Sequence, residues 1–192
     1  LSLEIRNGRV RRDEAIQIIQ KQGQGENWGI ELNGVDLHDA DLRSVNLRGA
    51  KMLRLTLVRS NLSGSDLSGA DLTESRLSLA DLHHSNLEGA ILYETDLRGA
   101  KLYGSDLSGA DMRGAVIHRA DLRGADLREA NLARASLYGA NLSGSDLGHA
   151  ILREADLRGA DLNAATLSTA IYDTKTVWPK GFDPARAGAT LA

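Results

Sequence analysis

Cysteine is absent from the chain, and with it go every disulfide, zinc-thiolate site and thiol nucleophile. Proline occurs only at Pro179 and Pro184, so no ladder-breaking residue stands in the first 178 positions. No apolar run approaches the roughly 20 residues that a membrane span requires. A basic excess is missing too: 23 Lys and Arg stand against 26 Asp and Glu, a formal net charge of −3. Nucleic-acid binders concentrate positive charge to neutralise phosphate, so direct nucleic-acid binding is not expected. No charged-then-apolar signal segment opens the chain, which starts at Leu1. Cytoplasm is the expected compartment, with periplasm or thylakoid lumen following if a targeting segment has been removed. At 192 residues the chain can form one domain with a sizeable core.

What is present is a period of five. A large apolar residue recurs from Leu32 through Leu37, Leu42 and Leu47 to Leu162, Leu167 and Tyr172, with Met52, Met112 and Ile117 as conservative replacements. Two residues before it sits a small one, as at Ala40, Ala70, Ser85, Ala100 and Ala140, and Asp or Asn commonly stands between them. On an α-helix five steps of about 100° scatter the leucines round the cylinder. On a flat strand the odd spacing sends successive leucines to opposite faces. The pattern is consistent only if the backbone turns a corner every five residues, which keeps the leucine and the small residue inward on every side. Four sides make a coil of 20 residues with a stacked core of alternating large and small side chains. Glycine two after the leucine, as at Gly49, Gly69 and Gly109, suits a corner that demands positive φ. The Asp or Asn can accept from backbone N–H groups at the turn.

These Ala-Asp/Asn-Leu-x-x units, such as Ala120-Asp121-Leu122 and Ala140-Asn141-Leu142, cover about three quarters of the chain and closely resemble the pentapeptide-repeat family. The resemblance implies an all-β fold, a right-handed quadrilateral β-helix; periodicity alone leaves the hand open. About seven coils at a strand spacing of ~4.8 Å predict a rod ~35 Å long. The domain reading is an N-terminal cap over 1–29, the β-helix over 30–174 and a C-terminal cap or tail over 175–192. In the first, Leu1–Ile5 and Arg9–Arg11 read as a hairpin about Asn7-Gly8. A short helix follows, with Asp13 as N-cap, Ile16 and Ile19 on one face and Gly23 as its end; Trp28 is expected over the first coil. In the last, Trp178 and Phe182 are expected to cover the final layer. This tail is similar to one common in cyanobacterial members, and some members dimerise through the C-terminal end, so a homodimer formed that way is a further expectation.

No catalytic, cofactor or metal site emerges. His38 and His118 share a face but lie ~19 Å apart, and the other histidines, including His149 above Glu129, form no His-carboxylate-His set at ±20. Ser65, Ser85, Ser105 and Ser145 fall on inward positions with no histidine aimed at them. A rod without concavity suits broad protein contact better than catalysis. Two surfaces stand out. The first is an apolar and arginine patch of Leu53, Ile91, Tyr93, Ile151 and Ile171 with Arg54, Arg113, Arg134 and Arg153, residue types that suit a binding hot spot. The second is an acidic stripe, Asp66, Asp106, Asp126 and Asp146, beside the glycines Gly49, Gly69, Gly89 and Gly109. The first fits a non-catalytic interaction scaffold with an unknown protein partner. The second fits an alternative that the family resemblance implies, mimicry of DNA towards a type II topoisomerase such as gyrase. Residues 30 to 174 carry about 15 basic and 21 acidic side chains, a dilute charge beside one per ~1.7 Å of duplex.

Overall fold

The computed structural model describes residues 13, 15–17, 19 and 30–192. The five-residue period becomes a four-sided coil: each side contributes one bridging residue, and parallel bridges join positions 20 apart, from Glu31↔Lys51 through Asp106↔Asp126 to Ile151↔Ile171. Side one carries Leu32 and Met52, side two Leu37 and Leu57, side three Leu42 and Leu62, side four Leu47 and Leu67; all are buried, as are the small residues Ala40, Ala70 and Ala100.

One unit, Ser105 to Gly109, shows why the repeat takes the form it does. The Leu107 N–H donates to the Asp126 carbonyl of the next coil at 2.7 Å, the Asp106 N–H to Ser85 of the previous coil at 3.0 Å, and the Gly109 N–H to Arg128 at 2.8 Å. The Ser105 N–H closes the preceding corner on the Leu102 carbonyl. One donor per unit is left over, that of Ser108, and the Asp106 carboxylate accepts it at 2.9 Å. Backbone N–H groups seek partners, so the recurring Asp or Asn supplies the one acceptor that the ladder does not. The same bond forms at Asn46, Asn61, Asp71, Asn131 and Asn141.

The residue two after the leucine has positive φ at every corner from Gly34 (69°) to Thr169 (58°). Positive φ at only the second central residue, with the following N–H bonded back to the leucine carbonyl, is the signature of a type II turn. Glycine is the residue suited to it, yet 15 of these positions hold something else, including Leu79 (φ 60°), His84 (φ 54°) and Arg119 (φ 55°). The inter-coil ladder imposes the conformation regardless of residue.

Serines on the inward small position are satisfied locally. Ser65, Ser85, Ser105 and Ser145 donate to the carbonyls of Leu62, Leu82, Leu102 and Leu142 at 2.5–2.7 Å.

At the C-terminal end the coil gains one residue: Asp156 bridges Val177, 21 positions on, instead of 20. Asp173 absorbs the extra residue, its carboxylate accepting the backbone N–H groups of Glu154, Lys175 and Thr176 and the Thr176 hydroxyl. Thr176 then takes the inward seat, donating to the Leu152 carbonyl at 2.9 Å as Thr95 does to Leu72. Trp178 meets Tyr172 edge-on at 5.5 Å and stacks on Phe182 at 5.2 Å, covering the last layer, with its Nε1 unpartnered. The tail returns to side one, where strand β2 (Thr190–Leu191) pairs in parallel with β1 (Ile171–Tyr172).

At the other end, Asp13 is itself helical rather than the flanking cap residue expected, along with Ala15, Ile16, Gln17 and Ile19. Ala15 and Ile19 are buried and Ile16 packs against the core. The hairpin, Gly23 and Trp28 readings lie outside the described residues. Among those residues no helix is long and apolar enough to cross a membrane.

Candidate functional site

With every inward position filled, chemistry can reside only on the outward seats: the bridging residue and the two corner residues of each unit. The commonest outward arrangement was not anticipated from the sequence. Where the repeat reads Asp-Leu-Arg, or Asp-Met-Arg at Asp111, the arginine folds back over its own corner and forks the aspartate, Nε to Oδ1 and Nη2 to Oδ2. This happens at Asp41–Arg43, Asp96–Arg98, Asp111–Arg113, Asp121–Arg123 and Asp156–Arg158, with distances of 2.6–2.9 Å. The guanidinium, aided by the corner N–H, holds each of these carboxyls below the usual carboxylate range. The signal was in the sequence: bridging seat and first corner seat lie on the same outer side of the bend.

On side one, Ile91 and Tyr93 are exposed, whereas Leu53, Ile151 and Ile171 are half-buried. The Arg113 guanidinium lies 5.6 Å from the Tyr93 ring centroid while bound to Asp111. Arg54 is bound to Glu74 and Arg134 reaches Glu154 at 3.5 Å; Arg153 has no side-chain partner among the described residues. The patch therefore holds together between Ile91 and Arg113, and its lower member Leu53 and upper members stand apart from it.

Asp66, Asp106, Asp126 and Asp146 do line one column of side four, bridged in sequence with Asn46 and Asn86. Arg128 sits in the middle of it, forked on Asp126 and 4.0 Å from Asp146; these carboxylates raise its pKa further, Asp126 most. Side four nevertheless carries most of the net charge, with Asp66, Glu88, Asp106, Asp126, Glu129 and Asp146 against Arg48 and Arg128.

The histidines are engaged individually. His83 binds Asp81 at 2.5 Å and stacks on Tyr103 at 4.8 Å; His118 meets the Ser136 hydroxyl at 2.7 Å, His149 that of Thr169 at 2.8 Å, and His38 pairs with Asp36 at 2.9 Å. Among the described residues no three His, Asp or Glu side chains are placed to share a metal ion.

The expectation of a surface without concavity fails at two corners. Between sides two and three, Leu79 and Tyr138 flank an open groove of about 500 Å³ floored by Gly99. Between sides four and one, a second groove of about 550 Å³ runs over Gly89 and Gly109 between Glu88 and Arg128. Both arise because a large corner side chain shares its column with a glycine, a pairing recoverable by counting in twenties.

A square coil with parallel ladders on all four sides and its free side chains on outward seats defines the class: a quadrilateral β-helix, right-handed like the family it matches. The family model for pentapeptide repeats matches 8 copies over residues 28–54, 56–92, 90–129 and 130–169. The chain belongs to the pentapeptide-repeat family. Among solved structures it is similar to HetL, a pentapeptide repeat protein involved in heterocyst differentiation regulation from the cyanobacterium Nostoc sp. strain PCC 7120, at 30% identity, covering 82% of this chain and 92% of that one, with a TM-score of 0.35. It is similar in fold to full-length QnrB1, a plasmid-mediated fluoroquinolone resistance protein, at 19% identity over 84% of each chain, TM-score 0.52. A third likeness is to alr5209, a pentapeptide repeat protein from Nostoc PCC 7120, at 38% identity over 58% of this chain and 84% of that one, TM-score 0.27. No curated protein matches the chain.

Proposed function

We propose that the chain is a non-catalytic interaction scaffold that docks on a protein partner through side one around Ile91, Tyr93 and Arg113. One observation carries this reading. At position 91 the repeat gives up the Asp or Asn that caps the corner N–H and places an exposed isoleucine there instead, next to an exposed tyrosine lying against an arginine. A local stabilising contact is traded for apolar surface, a departure from pattern expected at functional positions. Aromatic and arginine side chains are the residues that most often anchor protein contacts.

The second reading, mimicry of DNA towards a type II topoisomerase, draws on the acidic excess of side four. Arg128 works against it, since it sits among the three consecutive carboxylates Asp106, Asp126 and Asp146.

The test is affinity capture from native lysate with mass spectrometry, comparing the parent with a side-one variant (Ile91→Ser with Tyr93→Ser) and a side-four variant (Asp106→Lys with Asp146→Lys). A partner lost only in the side-one variant supports the scaffold. Gyrase subunits that survive the side-one change and vanish in the side-four variant replace it with mimicry.

A further inference from the structure

The groove between sides two and three joins an exposed leucine and an exposed tyrosine to an arginine that has no ion pair among the described residues. Leu79 is the most exposed large apolar side chain among the described residues, at 58%, and stands at a corner whose positive φ it shares with every other. Its Cδ2 lies where a Cβ on Gly99 would be only 2.9 Å away, so the leucine overhangs the glycine and roofs one end of the groove. Tyr138, 47% exposed, closes the other end with its ring edge-on to His118 at 6.1 Å.

Two guanidiniums belong to the groove, and they differ. Arg98 is consumed by Asp96, forked at 2.6 and 2.8 Å. Arg119 has no side-chain hydrogen bond or ion pair among the described residues; its stem passes 3.6 Å from a Cβ position on Gly139. Side two is also the only side on which basic residues outnumber acidic ones, with Arg59, Arg76, Arg98, Arg119 and Arg158 against Asp36, Asp39, Asp96 and Asp156.

We infer that this groove binds an extended acidic segment of a partner protein, one that seats a leucine or aromatic side chain over Gly99 between Leu79 and Tyr138 and presents a carboxylate to Arg119. The column from residue 78 to residue 138 spans three coil spacings, ~14 Å, which four extended residues at ~3.3 Å each would cover. An unpaired guanidinium matches a carboxylate in bidentate geometry, and the exposed leucine and tyrosine supply the apolar contact. The proposal rests on the scaffold reading but uses a different side of the rod, so the two can fail separately.

The experiment pans a phage-displayed random dodecapeptide library on the full chain and measures a synthetic copy of the enriched peptide by fluorescence anisotropy. The expected result is a motif holding Asp or Glu within four residues of Leu, Phe, Tyr or Trp, whose affinity falls tenfold or more in Arg119→Ala and in Leu79→Gly while circular dichroism and melting stay near the parent. Arg119→Lys should recover only part of the loss, and Ile91→Ser with Tyr93→Ser should have no effect. Basic or carboxylate-free peptides, binding indifferent to both groove variants, or no enrichment at all would overturn the groove proposal. Peptide binding abolished by the side-one variant alone would also overturn it while supporting the scaffold reading.

Discussion

Leu107 is the place to test the inward stack. It is fully buried, in a column with Leu67, Leu87, Leu127 and Leu147, which are buried to the same degree. Leu107→Ala removes the side chain's transfer energy and leaves a cavity, a change that costs about 3–5 kcal/mol in well-packed cores. The upper part of that range applies here. The flanking backbone is pinned to the coils on either side by bonds of 2.7 and 3.0 Å, so the walls cannot close on the void. At roughly 2–4 °C per kcal/mol for a chain of this size, melting should drop by about 10–15 °C. Leu107→Lys should do at least as much, because an unpaired charge would enter an interior whose polar groups, the Ser85 and Ser105 hydroxyls, already donate to carbonyls. The assay is thermal melting followed by circular dichroism at several wavelengths and by calorimetry, since a repeat array can melt in parts. Ala133→Lys, on an outward seat, is the control and should stay within about 2 °C of the parent. A Leu107→Ala protein that melts with the parent, or a control that falls as far, would refute the assignment of inward and outward seats.

Two further outcomes are expected. Asp41, Asp96, Asp111, Asp121, Asp126 and Asp156 have pKa values lowered chiefly by their arginines; on acidification the unfolded chain therefore takes up protons first. Their stabilising contribution is complete above about pH 4 and disappears as pH falls through the lower folded values. Melting temperature should drop below pH 4, and a triple Asp96→Asn, Asp111→Asn, Asp121→Asn variant, which keeps the corner acceptor as Asn86 does, should show a shallower drop; an unchanged slope would remove the forks from the account. Asp173→Ala should strip hydrogen-exchange protection from the Glu154 and Lys175 amides, whose acceptor is the Asp173 carboxylate, while Asp173→Asn should preserve much of it; protection surviving in the alanine variant would mean another group bridges the inserted residue.

The square section, the inward seats and the neighbours at ±20 were legible because a strict five-residue spacing has few geometric solutions. The role of the Asp or Asn at the corner was legible too, since a short acceptor beside a turn has an obvious target. Handedness was not, because a period is the same for either hand. The Asp-Leu-Arg forks, as at Asp121 and Arg123, are legible only once the corner is placed, because it is the bend that turns side chains two residues apart to the same outer side. At Leu79 and Arg119 the ladder overrides the preference for glycine. Near Asp173 the sequence loses its repeat, yet the coil continues beyond it, since a side-chain carboxylate replaces the backbone carbonyl of an out-of-register residue. The grooves were hidden for a different reason: they belong to pairs such as Leu79 with Gly99, and no window of local sequence contains both members.

Because each coil up to Tyr172 repeats after 20 residues, the outside of this protein is a graph-paper surface: over that stretch the remainder after dividing a position by 20 fixes its column, and the quotient its row. Rows are ~4.8 Å apart. Duplicating or excising one 20-residue block would lengthen or shorten every column by one square without changing which residues share a column. Binding determinants on such a lattice can be moved along the rod, multiplied or erased independently of the packing beneath them, so lineages of these chains are free to rewrite their surfaces while their interiors stay the same.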